Sequence, residues 1–238
     1  MTAELAPQPR GILYYNDVVQ GTDEWLAIRL GLLTASEVKK IVTPATLKIA
    51  DNETVRSHLR ELAAQRITQH VEPSYISDDM LRGMNDEGDA RQIYDQHFGK
   101  VLMTGFMTND KWGFTLGYSP DGLVGDDGQL EIKCRLQKIQ LAAIMSRQVP
   151  TENVIQLQTG LAVSEREWCD YVSHCPGLPL IALRVYPDDK LQNAIIEAAG
   201  DFYQRLEKLI AEYHEKIADK AARLIPTQRK EEGDMIYG

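Results

Sequence analysis

Two carboxylates and one ammonium group lie close together near the middle of this 238-residue sequence. Asp121 belongs to the segment Ser-Pro-Asp-Gly at 119–122, and Glu131 and Lys133 follow it with one isoleucine between them. Because successive side chains of a strand point to opposite faces, Glu131 and Lys133 are expected on the same face of one strand. The Gly-Asp-Asp-Gly segment at 125–128 is typical of a tight turn, so we expect this strand to return alongside Asp121.

Carboxylate oxygens suit Mg²⁺ or Mn²⁺, and a neighbouring lysine can orient or deprotonate a water molecule and offset charge on a phosphate. The three residues form the P-D…E-x-K pattern of metal-dependent nucleases. The pattern is short enough to occur by chance, and a hairpin with a charged strand is also an ordinary surface feature. Leu130 and Ile132 alternate with the charged pair, which predicts that Glu131 and Lys133 lie on the less apolar face of their strand.

Composition favours one large α/β domain, because 43% of the residues are apolar. We find neither an apolar run of membrane-spanning length nor a signal-peptide pattern, which predicts a soluble, cytoplasmic protein with no membrane partner. The three cysteines favour a reducing compartment over a disulfide framework. The five histidines have no metal-ligand spacing and are expected to be surface or packing residues: His58, His70, His97, His174 and His214.

The formal net charge of −9 argues against a general nucleic-acid binder. It does not exclude an enzyme that confines DNA to a channel, because the local potential matters more than the total charge.

The sequence predicts an N-terminal arm over 1–15, a domain over 16–225 and a polar tail over 226–238. Ser36 is expected to be the N-cap of a helix, and Thr151 the N-cap of another. The fold class is expected to be α/β, a mixed central sheet flanked by helices. Hydrophobic periodicity predicts helices over 53–70, 79–98, about 138–147, from 151 and over about 190–223, and strands over 101–107, 112–118, 129–134, 168–174 and 180–186.

Four blocks follow one another between about residues 20 and 165. They are the segment 20–38 that begins Gln-Gly-Thr-Asp-Glu-Trp, Gly83 with Glu-Gly-Asp-Ala-Arg at 87–91, the Asp121 and Glu131 hairpin, and Gln-Leu-Gln at 156–158. Their order and spacing resemble the phage lambda exonuclease-like family of viral recombinase nucleases, within the restriction-endonuclease-like superfamily. The last third of the chain resembles that family only in its general strand-strand-helix order.

The resemblance implies a 5′→3′ exonuclease on linear double-stranded DNA. Such an enzyme releases 5′-mononucleotides and leaves 3′ single-stranded overhangs, which pass to a single-strand annealing protein for recombination. The resemblance also implies a ring-shaped homotrimer through which DNA threads, and a phage or prophage protein that acts in a bacterial host.

Roles follow by position within the matched blocks. Asp121 is expected to bind two Mg²⁺ ions, for which Mn²⁺ can substitute, and Glu131 with the main-chain carbonyl of Ile132 to complete one of the two metal sites. Lys133 is expected to position the attacking water. Two further residues are expected to assist the site: the helix-borne carboxylate Glu87 and the supporting amide Gln158.

A second set of matched residues forms the family's pocket for a terminal 5′-phosphate: Arg29, Ser36 and Ser119. A guanidinium and two hydroxyls are suitable ligands for a phosphate dianion. The family also carries an apolar wedge that splits the duplex end, and the corresponding residues here are Met80 and Leu81. We expect Trp25 to pack rather than to stack on a base. The basic loop after the opening block is thin, with only Lys48, so its contact with DNA is in question.

Two other functions are compatible with these residues. One is a structure-specific endonuclease or repair nuclease of the same superfamily, which would cleave closed circular DNA. The other is a non-catalytic scaffold that binds DNA ends, although a degenerate copy would be expected to lose Asp121, Glu131 or Lys133.

Overall fold

The computed structural model describes residues 11–72, 77–219, 221 and 223–229. Its strands are β1 (Ile12–Tyr15), β2 (Leu33–Thr34), β3 (Val101–Leu102), β4 (Phe106–Asn109), β5 (Leu116–Tyr118), β6 (Gly122–Val124), β7 (Gly128–Cys134), β8 (Trp168–His174) and β9 (Ile181–Val185). Its helices are α1 (Asp23–Arg29), α2 (Ala35–Val38), α3 (Glu53–Thr68), α4 (Asp78–His97), α5 (Gln137–Ser146), α6 (Thr151–Ser164) and α7 (Asp189–Ala218).

The strands form two mixed sheets, in the orders β1-β4-β5-β2 and β3-β6-β7-β8-β9. The predicted α/β class is confirmed, but two sheets replace the single central sheet that we expected. The division falls between β5 and β6, where Ser119, Pro120 and Asp121 form a bend and Pro120 has no backbone N–H to donate to a ladder. Asp121 therefore lies where the chain passes from one sheet to the other.

Local sequence explains the ends of the long helices. The side chain of Asn52 caps α3 by accepting from the N–H of Val55 at 3.0 Å, and Ser77 caps α4 in the same way. Gln69 ends α3 in the left-handed conformation. The predictions for these two helices are confirmed to within two residues at each end.

Two predicted N-caps are wrong. Thr34, not Ser36, is the N-cap of α2, because Thr34 still has the extended backbone of β2 when the helical turn begins at Ala35. Pro150, not Thr151, is the N-cap of α6, and Thr151 is its first helical residue. Neither N-cap side chain makes a capping hydrogen bond, so packing rather than capping sets where these helices begin.

Other differences concern boundaries. Residues 12–15 pair with β4, so the first sheet begins inside the segment predicted as an arm. Helix α7 ends at Ala218, five residues before its predicted end. Strand β6 was not predicted. The predicted arm over 1–10 and most of the predicted tail, 230–238, lie outside the described residues.

The largest hydrophobic core joins side chains of β2, β5, α3, α6 and α7. Helix α6 lies at the centre of the fold and packs on both sheets, α2 and α7. Because this helix is buried along most of its length, its glutamines Gln156 and Gln158 require partners inside the protein. None of the helices in the described part of the chain has the length and hydropathy that crossing a membrane requires.

Candidate active site

A cavity of about 210 Å³ lies where the two sheets meet. It is lined by five of the six predicted catalytic and metal-binding residues, all except Gln158, together with all three predicted phosphate ligands. Its lining residues are Gln20, Trp25, Arg29, Thr34, Ala35, Ser36, Glu87, Tyr118, Ser119, Asp121, Glu131, Ile132, Lys133 and Gln156.

The hairpin of β6 and β7 brings Asp121 beside Glu131, as the sequence predicts. Gly122 pairs with Leu130, and the N–H of Asp121 donates to the carbonyl of Leu130 at 3.1 Å. The N–H of Ile132 donates to Oδ2 of Asp121 at 2.6 Å, which fixes the carboxylate against the neighbouring strand. Asp121 lines the cavity, and its other oxygen, Oδ1, has no hydrogen bond within the described residues.

Glu131 is buried, with 2% of its surface exposed, among polar side chains. Strand β7 is an inner strand between β6 and β8, and both of its faces are covered. The Oε1 atom of Glu131 accepts from Nζ of Lys133 at 2.6 Å and from Nε2 of Gln156 at 2.5 Å. Its Oε2 accepts from the hydroxyl of Tyr118 at 3.3 Å. Three donors therefore hold one buried carboxylate.

Helix α4 packs against β7 and brings Glu87 to the cavity. Nη2 of Arg91 donates to Oε1 of Glu87, which lies one turn earlier on α4. Arg91 also donates from Nε to the main-chain carbonyl of Asp121 at 2.8 Å. The sequence analysis missed this second contact, through which one guanidinium joins the helix-borne carboxylate to the catalytic hairpin.

The carboxylates repel one another. Burial raises the pKa of Asp121 well above its usual value, and Glu131 and Glu87 raise it further, while Lys133 opposes them only in part. Burial alone would lower the pKa of Lys133, but Glu131 and Asp121 outweigh it and raise that pKa above the usual value. Lys133 is therefore an ammonium in this arrangement, which favours its predicted orienting role over its role as a base.

The chemistry of these groups fits a divalent cation. Asp121, Glu131 and Glu87 supply hard oxygen donors, and only two of these three carboxylates have a cationic partner in the described residues, Glu131 with Lys133 and Glu87 with Arg91. A bound cation would relieve this repulsion.

The predicted phosphate ligands Arg29 and Ser36 flank the short strand β2 in the sequence. This strand pairs in parallel with β5 and places Thr34 opposite Gly117. The guanidinium carbon of Arg29 lies 4.0 Å from the centre of the Trp25 ring, and Nη2 donates to the hydroxyl of Thr34 at 3.4 Å. Burial lowers the pKa of Arg29, and Glu37 opposes that shift. Since arginine is not deprotonated in proteins, Arg29 remains a cation. Trp25 thus packs against an arginine at the wall of the cavity.

The two predicted serine ligands differ. The hydroxyl of Ser119 donates to the main-chain carbonyl of Gly105 at 2.6 Å, so it must turn before it can donate to a ligand. Ser36 lies 3.2 Å from the hydroxyl of Thr34 and lines the cavity. Helix α2, which carries Ser36, has four residues, so its dipole contributes little.

The structure places Gln158 away from the cavity. Its Nε2 donates to the carbonyl of Tyr186 at 2.9 Å, and its Oε1 accepts from the N–H of Asp188 at 2.9 Å. Gln156 instead contacts Glu131. Two residues along a helix differ by about 200° in direction, so only one of these glutamines can face the site. The sequence analysis chose the wrong member of the pair.

Met80 and Leu81 lie in the first turn of α4, exposed at 53% and 52%, and are not part of the cavity lining. Met84, one turn further on, is 57% exposed and continues the apolar stripe towards Glu87. Lys48 is exposed and does not line the cavity.

A second polar cluster adjoins Thr34 at the wall of the cavity. Glu37, His58 and Glu61 are close enough to share a metal ion. The ammonium of Lys40, however, already lies 3.2 Å from Glu37, 3.3 Å from Nδ1 of His58 and 3.6 Å from Glu61. His58 is buried and packs on Phe202, as predicted for a packing residue.

Comparison with known proteins agrees with this geometry. The model of the YqaJ-like viral recombinase domain matches residues 24–167. One similar solved structure is the crystal structure of the alkaline exonuclease LHK-Exo from Laribacter hongkongensis, whose sequence is 35% identical to this one. The match has a TM-score of 0.73 and covers 84% of this chain and 100% of that chain. LHK-Exo in complex with dAMP gives a TM-score of 0.74 at the same identity and coverage. A search of curated proteins gives no match.

The crystal structure of a phage related exonuclease from Haemophilus somnus 129PT is 14% identical, with a TM-score of 0.58, and covers 76% of this chain and 96% of that chain. This similarity shows a shared fold. The family model spans more than half of the chain, and the relative from Laribacter is more than 30% identical over its whole length. The chain therefore belongs to the family of YqaJ-like viral recombinases, as an alkaline exonuclease-like nuclease of the restriction-endonuclease-like fold.

Proposed function

We propose that the protein degrades linear double-stranded DNA in the 5′→3′ direction, releases 5′-mononucleotides and leaves 3′ single-stranded overhangs. The observation that carries the proposal is one shared cavity, which is lined by Arg29 and Ser36 as well as by Asp121, Glu131 and Lys133. A site that holds a terminal phosphate next to its catalytic carboxylates acts on an end rather than inside a strand.

In this proposal, Arg29 binds the terminal 5′-phosphate, and Ser36 and Ser119 complete its coordination by donating hydroxyl protons. Charge-assisted contacts of this kind are stronger than neutral hydrogen bonds. The bound phosphate fixes which strand enters the cavity and sets the distance to the scissile bond. Directionality follows because only a 5′ end places its phosphate in that position.

Asp121, Glu131 and the main-chain carbonyl of Ile132 would hold two Mg²⁺ ions, for which Mn²⁺ could substitute, with Glu87 nearby. When bound, such ions offset the negative charge that builds on the phosphoryl oxygens. Lys133, as an ammonium, orients the attacking water and adds positive charge beside the phosphate.

Two buried side chains keep the catalytic carboxylate in place. Tyr118 and Gln156 both donate to Glu131, so its orientation does not depend on Lys133 alone. We assign to Gln156 the supporting role that the sequence analysis gave to Gln158.

The product assignment is supported by a relative. The alkaline exonuclease from Laribacter hongkongensis has been crystallised with dAMP, a deoxynucleoside monophosphate. A cavity of about 210 Å³ that combines a guanidinium with a carboxylate cluster is suited to the same class of molecule.

The finer features rest on the family resemblance. We propose a ring-shaped homotrimer around DNA, an annealing protein that receives the 3′ strand, and action in the cytoplasm of a bacterial host of a phage or prophage. Met80 and Leu81 are proposed as the strand-separating wedge, because they are exposed apolar residues on the helix that carries Glu87. A mass measurement in solution tests the trimer.

One incubation tests the proposed function. Duplexes labelled at either 3′ end, with a 5′-phosphate or a 5′-hydroxyl, are incubated with Mg²⁺ beside covalently closed circular DNA, and product sizes are followed over time. We expect mononucleotides from linear DNA only, released at least about ten-fold faster from 5′-phosphorylated ends, since the phosphate contact contributes roughly 1.5–3 kcal/mol. Arg29→Ala should remove most of that difference.

Each other outcome identifies an alternative. Cleavage of the closed circle would indicate an endonuclease of the same superfamily. End binding without product would indicate a scaffold. Equal rates on the two linear duplexes would dismiss the phosphate pocket and return Arg29 to a structural role.

A further inference from the structure

Thr34 occupies an unusual position between the cavity and the polar cluster behind it. It lines the cavity, yet only 2% of its surface is exposed. Its hydroxyl has three neighbours: Nη2 of Arg29 at 3.4 Å, Oγ of Ser36 at 3.2 Å and Oε2 of Glu37 at 3.0 Å. Two of these neighbours are the proposed phosphate ligands, and the third is a carboxylate.

The direction of each hydrogen bond follows from the inventory of donors and acceptors. A threonine hydroxyl has one proton and two lone pairs. The ionised carboxylate of Glu37 can only accept, so it takes the proton of Thr34. Arg29 can only donate, so it occupies one lone pair, and the hydroxyl of Ser36 donates to the other. All three positions around the oxygen are thereby used.

Glu37 is itself fixed from behind. Its Oε1 accepts from the ammonium of Lys40 at 3.2 Å, and Lys40 also contacts His58 and Glu61 on α3. His58 is buried against Phe202 of α7. The carboxylate that orients Thr34 is therefore anchored to the core helices, and it cannot turn towards the cavity without losing these partners.

We propose that Thr34, oriented by Glu37, is a positioning residue that holds the guanidinium of Arg29 in place for the terminal 5′-phosphate. Thr34 thereby sets the preference for phosphorylated ends, an inference that rests on the proposed function. Trp25 stacks on one face of Arg29 and limits the tilt of the guanidinium plane, while Thr34 limits its rotation within that plane. Ser36 remains the adjustable ligand, because its proton can turn from Thr34 to a bound phosphate.

The test compares rates on duplexes that differ only in having a 5′-phosphate or a 5′-hydroxyl. The ratio of kcat/KM on these two substrates cancels any general loss of activity. We expect Thr34→Val, which keeps the branched shape but lacks the hydroxyl, to lower the ratio from at least about ten-fold to about two-fold. This loss of about five-fold corresponds to about 1 kcal/mol. Thr34→Ser should retain most of the ratio.

Thr104→Val is the matched control. Thr104 is also buried and also donates one hydrogen bond, to Asn16, but it does not line the cavity. Its ratio should equal that of the wild type. If Thr34→Val does not fold, as judged by its melting curve, Thr34→Ala serves in its place, because a smaller side chain avoids burying a new methyl beside Glu37.

The outcomes separate the two proposals. A wild-type ratio near one overturns the phosphate pocket, and with it the role of Thr34. A wild-type ratio of ten or more that Arg29→Ala abolishes, but that both Thr34→Val and Thr34→Ala preserve, leaves the pocket standing and overturns the positioning role. A ratio lost in Thr34→Val and kept in Thr34→Ser supports it.

Discussion

Two clusters in this protein combine carboxylates with a single lysine, and they differ in how fully the lysine neutralises them. In the cluster of predicted catalytic residues, Lys133 contacts Glu131 at 2.6 Å and Arg91 pairs with Glu87, whereas the carboxylate of Asp121 forms no ion pair within the described residues. In the second cluster, Lys40 lies 3.2 Å from Glu37 and 3.6 Å from Glu61.

The pKa shifts record this difference. Burial and neighbouring carboxylates raise the pKa of Asp121. Burial acts to raise the pKa of Glu61, but His58 and Lys40 together outweigh burial and lower that pKa below its usual value. Spacing alone would mark the second cluster as a metal site. The comparison teaches that spacing alone does not identify a candidate cation site, and that each carboxylate must also be checked for a cationic partner within the protein.

The largest effect is expected from removing metal. Excess EDTA should abolish turnover, Mg²⁺ or Mn²⁺ should restore it, and Ca²⁺ should inhibit, because Ca²⁺ prefers more ligands at longer distances. Calorimetry should show that Asp121→Asn loses Mn²⁺ binding while Glu61→Gln keeps it. Full activity in EDTA, or Mn²⁺ binding lost in Glu61→Gln, would break the comparison.

Lys133→Ala should lower kcat at least roughly a hundredfold, because the proposed mechanism has Lys133 act on the water and the transition state. Binding of duplex DNA, measured by fluorescence anisotropy in Ca²⁺, should change little. Lys40→Met is the matched variant: it should lower the melting temperature and leave kcat within a few-fold. A Lys133→Ala enzyme that keeps more than about a tenth of wild-type kcat, a loss of ~1.4 kcal/mol or less, contradicts the role given to Lys133.

A smaller effect should separate the two glutamines of α6. Gln156→Leu removes a donor to Glu131 and should lower kcat about ten-fold, within the range of a lost hydrogen bond to a charged group. Gln158→Leu should leave kcat unchanged and lower stability, because the carbonyl of Tyr186 and the N–H of Asp188 lose their partner. The reverse result would restore Gln158 as the supporting residue.

The smallest effect concerns stability in EDTA, where the two clusters should respond to pH with opposite signs. The folded-state pKa of Asp121 is raised above its unfolded-state pKa. The contribution of Asp121 to the free energy of unfolding is therefore complete below the unfolded-state pKa and is lost as pH rises through the folded-state pKa. Asp121→Asn cannot ionise and should melt a few degrees above the wild type at neutral pH, about 1 kcal/mol for a chain of this size. This difference should disappear as the pH approaches about 4.

The folded-state pKa of Glu61 is lowered below its unfolded-state pKa. The contribution of Glu61 to the free energy of unfolding is therefore present above the unfolded-state pKa and is lost as pH falls through the folded-state pKa. Glu61→Gln should therefore melt below the wild type at neutral pH, by less than the Asp121 effect because Glu61 is half exposed and screened by solvent. Melting curves between pH 4 and about 8 test both signs, and two shifts in the same direction would contradict the comparison.

Much of the fold could be predicted because the long elements carry strong periodicity and clear ends. Helices α3 and α4 and strands β8 and β9 were predicted to within a few residues. The shortest elements, β2, β6 and α2, were missed or misplaced, because two to four residues carry no period of their own. The division into two sheets also escaped prediction, since strand partners are set by tertiary packing.

Sequence alone was sufficient to place Asp121 beside Glu131, because the turn at 125–128 and the two-residue period of the following strand act over short range. The four-residue spacing of Glu87 and Arg91 likewise puts both side chains on one face of a helix. Only the tertiary structure decided which charges are neutralised. Three features depend on elements that are far apart in the chain, and no local pattern encodes how those elements pack. They are the burial of Glu131, the contact of Gln156 rather than Gln158 with Glu131, and the hydrogen bonds of Thr34 with Arg29 and Glu37.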